Sequence, residues 1–151
     1  MQRLNPVTAA AEGYAALSKV EDYLKRCGLE ARLLALVKTR VSQMNGCAYC
    51  LHMHTQEAIA AGEQHARLHL LDAWHESSMY SQRERAALIW AESLTNIAQT
   101  HAPDRVYAEV KSQFSEKELA DLSIAVAMIN AWNRLAIGAR AAHPADIKQA
   151  A

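Results

Sequence analysis

Apolar residues recur along this chain at intervals of three and four, and no stretch sustains the period-two alternation of a half-buried strand. The five glycines and three prolines fall mostly at the edges of runs rich in alanine, leucine and other strong helix formers. Both patterns predict an all-α fold. At 151 residues the chain suits a single domain, spanning 1–151, that buries most of the surface its unfolded form exposes. With 16 basic and 16 acidic side chains and no long block of one sign, neither a nucleic-acid footprint nor an anionic membrane partner is expected. The opening MQRLNPVTAAAEG is not a basic start followed by an apolar core, and no apolar run reads as long enough to span a bilayer. With three cysteines, an odd number, a reducing cytoplasmic setting is the expectation, in which any disulfide is transient.

Punctuation divides the chain into seven expected helices, packed as one compact bundle. The first runs from about Pro6 through Tyr14, Leu17 and Tyr23 to Cys27, with Gly28 as its stop. The second covers about Glu30 to Gln43, with Leu33, Leu36, Val37 and Val41 as its stripe, and the Asn45-Gly46 pair breaks it. The third runs from Cys47 to Ala61, the fourth from about Gln64 to Trp74. Ser81 and Glu84 form a capping box that starts the fifth, ending near Ala98, and Pro103 opens a short sixth. Ser115 and Glu118 form a second box ahead of the long seventh helix, expected from Glu118 to about Ala141 and closed by His143-Pro144.

The run NGCAYCLHMH, residues 45–54, carries the chemistry. At about 100° per residue, Cys50 sits near −60° and His54 near −20° relative to Cys47, so the three share one narrow helical face while His52 points away. Ala58 and Ala61 continue the stripe with small side chains. Two sulfurs three residues apart on a helix are neighbours able to form a disulfide. A thiolate is the reactive form. Asn45, read as an N-cap, places Cys47 at the positive end of the helix dipole, whereas Cys50 precedes His54 by one turn and can pass its proton to the imidazole. The first device favours Cys47 as the more acidic thiol, the second Cys50, and the spacing does not choose between them.

Other readings fit less well. Two cysteines on a helix face can be packing alone. A structural zinc calls for about four ligands; Cys27 is the one remaining cysteine, and the i, i+4 pair His65 and His69 reads as a solvated face. A c-type haem needs histidine directly after the second cysteine, where Leu51 stands, and a thioredoxin fold needs strands.

The run RVSQMNGCAYCLHMHTQEAIAAGE resembles the core of the alkylhydroperoxidase D (AhpD)-like, carboxymuconolactone decarboxylase superfamily, and CxxCxxxH within SQxNGCxYC is specific to that group. GEQHARLHLLDAWHESSMYSQRERAALIWAESLT and AMINAWNRLAI resemble its continuation and final helix. The resemblance implies an all-helical AhpD-like fold, homotrimers or homohexamers, no cofactor, and a thiol peroxidase acting on hydrogen peroxide or organic hydroperoxides. It further implies that Cys50 attacks the peroxide, His54 promotes its deprotonation and Cys47 resolves the sulfenic acid to a disulfide, which an external dithiol or thiol reductant protein reduces. One departure stands out: the family glutamate twelve residues before the first cysteine is Ala35 here. Glu84 is the leading candidate substitute, with Glu92 and Glu30 behind it; each also reads as a capping or surface residue. That loss points to weak peroxidase activity, a different reductant or a role closer to redox sensing, and two other roles stay open: a non-catalytic oligomeric redox-sensing or binding protein, and, like the superfamily's namesake, a cysteine-independent decarboxylase or lactone-acting enzyme. Trp90 and Trp132 read as core or subunit-interface packing, Asn130, Asn133 and Arg134 as satisfying helix ends or an interface, and Cys27 as inert.

Overall fold

The structure, a computed structural model, describes residues 2–143. Its elements in chain order are α1 (Pro6–Ala9), α2 (Ala11–Leu24), α3 (Ala31–Asn45), α4 (Ala48–Ala60), α5 (His65–Leu70) running into a 3₁₀ turn (Leu71–Ala73), α6 (Gln82–Thr95), α7 (Ile97–Thr100), α8 (Asp104–Lys111) and α9 (Glu116–Ala139). No strand occurs among the described residues. The all-α expectation holds, and the seven helices longer than one turn are the seven read from the sequence. Two four-residue helices are additional. The first expected helix is interrupted at Ala10 (φ −136°, ψ 54°), which separates α1 from α2, and α7 is split from the end of α6 at Asn96. Both capping boxes form, at Ser81/Glu84 and Ser115/Glu118. The last helix therefore starts at Glu116, and it ends where Arg140 takes a left-handed conformation (φ 49°). Pro144, expected to help close it, lies outside the described residues.

Helix α3 is the centre of the bundle. A run of good helix formers with apolar residues on every side has no solvent face to offer, and Leu33 to Val37, Thr39, Val41 and Ser42 are all buried. Leu33, Leu34, Val37 and Val41 join the larger core with Leu24, Trp90, Leu122 and Ile129. Ala35 and Leu36 face a smaller core built on Leu68, Leu71, Trp74, Tyr80 and Leu88. Its polar residues are each satisfied. Thr39 Oγ1 donates to the Ala35 carbonyl at 2.8 Å, and Ser42 Oγ accepts from Asn133 Nδ2 at 3.1 Å. By length and composition α9 is long and apolar enough to cross a membrane, contrary to the reading that no run in the chain is. Here it packs against α2, α3, α4, α6 and α8 inside the bundle. It buries Asp121, whose carboxylate accepts from Tyr23 Oη and Lys117 Nζ at 2.6 Å each.

The end of α3 is pinned to α9 by an amide ladder. Asn45 Nδ2 donates to Asn130 Oδ1 at 3.0 Å and to Asn133 Oδ1 at 2.8 Å, and Asn133 is fully buried. Asn133→Ala leaves the Ser42 hydroxyl and one Asn45 amide hydrogen short of partners inside the bundle. It is expected to cost about 1–3 kcal/mol, read as a lowered urea midpoint at unchanged slope.

Candidate active site

The geometry starts at the turn between α3 and α4. Gly46 stands in the left-handed region (φ 67°), and a Cβ there would meet nothing within 4 Å, so glycine is needed for conformation and not for space. Because α3 runs on through Asn45 and only Gly46 breaks it, Asn45 is not the N-cap of the next helix, as its position had suggested. Cys47 takes that role (φ −86°, ψ 95°), its Sγ accepting from the Cys50 N–H at 3.3 Å. Cys47 thus stays at the positive end of α4, and its own sulfur does the capping.

The helical face expected for the motif is the buried one. Cys47, Cys50 and His54 are buried while His52 is exposed, its ring 4.9 Å from that of His143. Cys47 and Cys50 are joined in a disulfide, with Cα atoms 5.3 Å apart. Cys27 is a free, buried thiol. Beyond the motif, Ala58 is buried and Ala61 is exposed.

A cavity of about 680 Å³ opens beside this face. Tyr14, Glu21 and Leu24 of α2, Leu34, Ala35 and Lys38 of α3, and Trp132, Leu135 and Ala136 of α9 form much of its wall, and Gln2 and Asn5 to Val7 cross one side. That N-terminal stretch is tied to the end of α9, where the Arg3 N–H donates to the Ala139 carbonyl at 2.9 Å. Cys50 and His54 line the cavity, whereas Cys47 is not among the lining residues. The two cysteines are therefore unequal: both belong to the larger core, but Cys50 alone also borders the cavity.

Ala35 also lines the cavity, so the position where the resemblance expects a glutamate faces the site without a carboxylate. The three candidate substitutes lie elsewhere; none lines the cavity. Glu84 closes its capping box on the Ser81 N–H (2.8 Å) and meets Arg67 Nη2 at 2.5 Å. Burial pushes the Glu84 carboxyl up, but the bonds from Ser81 and Arg67 outweigh it and hold it below the usual range. Glu92 accepts from Arg40 Nε at 2.8 Å and Trp74 Nε1 at 2.7 Å, and Glu30 pairs with Arg83 at 3.0 Å.

Two carboxylates do line the cavity. Glu21 accepts from Lys38 Nζ at 2.6 Å and Trp132 Nε1 at 2.9 Å. Glu57 places Oε2 at 2.7 Å from His54 Nδ1. That bond holds the Glu57 carboxyl below its ordinary value, overriding partial burial. With Nδ1 so engaged, His54 Nε2 is buried and has no hydrogen-bond partner. The sequence reading missed Glu57, although its signal was present: ten residues after Cys47, it falls near −80° on the same helical wheel, beside Cys50. Trp132 lies on the cavity wall, edge-on to Tyr14 with centroids 4.9 Å apart, while Trp90 is core and donates to Ser123 Oγ at 2.9 Å. Asn130 and Asn133 serve the helix ladder, and Arg134 bonds back to the Asn130 carbonyl at 2.9 Å. Among the described residues no group of three His, Cys, Asp or Glu side chains is arranged to hold a metal ion, and His65 and His69 are exposed.

The profile of the carboxymuconolactone decarboxylase family matches residues 9–93. An uncharacterised Bacillus subtilis protein, YdfG, is 40% identical over 143 residues, 93% of this chain and 97% of that one. The crystal structure of an Agrobacterium tumefaciens protein of unknown function, described as a candidate AhpD of antioxidant defence, superposes with a TM-score of 0.92 at 38% identity, covering 95% of this chain and 99% of that one. The debrominase Bmp8 shares the fold alone, with a TM-score of 0.81 at 18% identity over 92% of this chain and 75% of its own.

Glu84 supports the fold at a distance from the thiols. Glu84→Gln is expected to lower unfolding stability by about 1–2 kcal/mol and to leave the alkylation rate of reduced Cys50 unchanged. A rate altered several-fold in the folded variant would return Glu84 to the site.

Proposed function

This chain belongs to the carboxymuconolactone decarboxylase family and has the AhpD-like fold, and from that premise we propose that it is a thiol-dependent peroxidase reducing hydrogen peroxide or organic hydroperoxides. The observation that carries the reading is the inequality of the two cysteines, with Cys50 lining the cavity together with the buried His54 and Cys47 buried away from it. His54 follows Cys50 by four residues on the same buried face, the spacing at which helical side chains are neighbours, and in the proposed cycle it takes the Cys50 proton once the disulfide is reduced.

In the proposed cycle the Cys50 thiolate attacks the terminal peroxide oxygen. An S–O bond forms as the O–O bond breaks, and the departing alkoxide takes the proton held on His54, leaving as an alcohol. The Cys47 sulfur then attacks the Cys50 sulfenic acid; the S–S bond forms, the S–O bond breaks, and hydroxide leaves with a proton as water. An external dithiol or thiol reductant protein restores the pair by thiol–disulfide exchange. The cycle suits a reducing compartment such as the cytoplasm, and a homotrimeric or homohexameric assembly belongs to the same reading. The largely apolar cavity wall favours organic hydroperoxides over water-filled access to hydrogen peroxide alone.

Peroxide added to the reduced protein should consume two thiols per chain, with the disulfide mapped between Cys47 and Cys50 by mass spectrometry. Cys50→Ser should reduce turnover to background, and Cys47→Ser should stop at a Cys50 sulfenic acid, one oxygen heavier. Thiols untouched by peroxide, or turnover preserved in Cys50→Ser, would remove the peroxidase reading in favour of a cysteine-independent activity or a slow redox sensor.

A further inference from the structure

We propose that Glu57 is the positioning residue of this site, holding the His54 ring so that Nε2 is its proton-accepting nitrogen and stabilising the positive charge the ring gains when it takes the Cys50 proton. The inference rests on the peroxidase reading only for the use made of the thiolate; the proton transfer itself needs no peroxide.

Three observations meet here. The carboxylate oxygen of Glu57 lies 2.7 Å from His54 Nδ1. A carboxylate deprotonated at neutral pH is an acceptor only, so Nδ1 carries the hydrogen and Nε2 is left with a free lone pair. Second, that Nε2 is buried and unpartnered. An orphaned buried acceptor is unfavourable, and the group four residues earlier on the same face that supplies a proton is Cys50, whose sulfur is engaged in the disulfide in this oxidised form. Reduction converts that sulfur into a donor. Third, Ala35 leaves the α3 wall without a carboxylate, so α4 carries nucleophile, base and orienting group together, at positions 50, 54 and 57.

The other charged groups lining the cavity with His54 and Glu57 are Lys38 on α3, Glu21 on α2 and Lys25 just past the end of α2. Lys38 and Glu21 neutralise each other at 2.6 Å, and Lys25 pairs with Asp22 at 3.0 Å. Glu57 is therefore the carboxylate free to act on the imidazole. Its side chain is 53% exposed, so solvent screening limits the effect to a few-fold in rate.

The test follows the pH dependence of Cys50 alkylation by iodoacetamide in the reduced 151-residue chain, with Cys47→Ser as background so that one site thiol is read. Glu57→Gln keeps shape and an acceptor but loses the charge; Glu57→Ala loses both. With the carboxylate gone, the thiolate–imidazolium pair is less favoured and the thiolate forms at higher pH. The midpoint should rise by about half a pH unit and the rate near neutrality fall by up to about three-fold in Glu57→Gln, and further in Glu57→Ala. A midpoint unmoved in both variants, or a rate reduced equally at every pH, would overturn the assignment, because a merely structural role gives one of those results. Peroxide oxidation of Cys50 is followed in parallel. A shifted alkylation midpoint without any peroxide reaction would retire the peroxidase reading and keep Glu57's role, and peroxide reactivity with an unmoved midpoint would do the reverse.

Discussion

The central helix α3 hands the chain to α4 across only two residues, Gly46 and Cys47, and the whole site depends on how that is done. Gly46 makes the reversal in a conformation that other residues adopt only with strain. The stop fixes which residue caps α4, and the cap fixes which face of α4 turns inward. A turn one residue longer would rotate that face by about 100° and carry both sulfurs out of the core. The amide ladder from Asn45 to Asn130 and Asn133 holds the same turn from the other side, so that α3, α4 and α9 meet at one place.

From that placement the chemistry follows by division of labour along α4. Cys47, at the cap and against the core, is sheltered and suits a resolving role. Cys50, one turn on, borders the cavity, and His54, one turn further, lies with one ring nitrogen bound to a half-exposed carboxylate and the other buried without a hydrogen-bond partner. The cavity wall is mostly apolar, and its Lys38–Glu21 pair is internally neutralised. Glu57 opens to solvent on one side, so the charges created when a proton moves from sulfur to nitrogen are partly screened there.

Much of this was legible before any coordinates. The period of the apolar residues gave the helices, the two Ser-x-x-Glu runs gave two helix starts to within two residues, and the Cys47, Cys50, His54 spacing gave the buried face. What stayed hidden depends on partners distant in sequence. Glu57 was on the right arc of the wheel, but a surface-type residue at i+3 acquires meaning only when the ring beside it is known to be buried. Glu84 drew attention through its capping box, and the same box, together with Arg67, commits it elsewhere. Asn45 reads as a cap by type, yet Gly46 let the previous helix absorb it. The cavity was not legible at all, because its walls come from α2, α3, α4, α9 and the N-terminal stretch, whose meeting is a property of packing. Nor does the AAAEG run around Ala10 signal the break between α1 and α2.

The central claim is that reduction joins Cys50 to His54 through Nε2, and nitrogen-15 NMR of the imidazole ring reads that atom directly. On reducing the disulfide at neutral pH, the His54 Nε2 resonance is predicted to move from that of a bare acceptor nitrogen toward that of a protonated or hydrogen-bonded one, with Nδ1 protonated throughout. An Nε2 signal indifferent to the redox state of the cysteines would contradict the account.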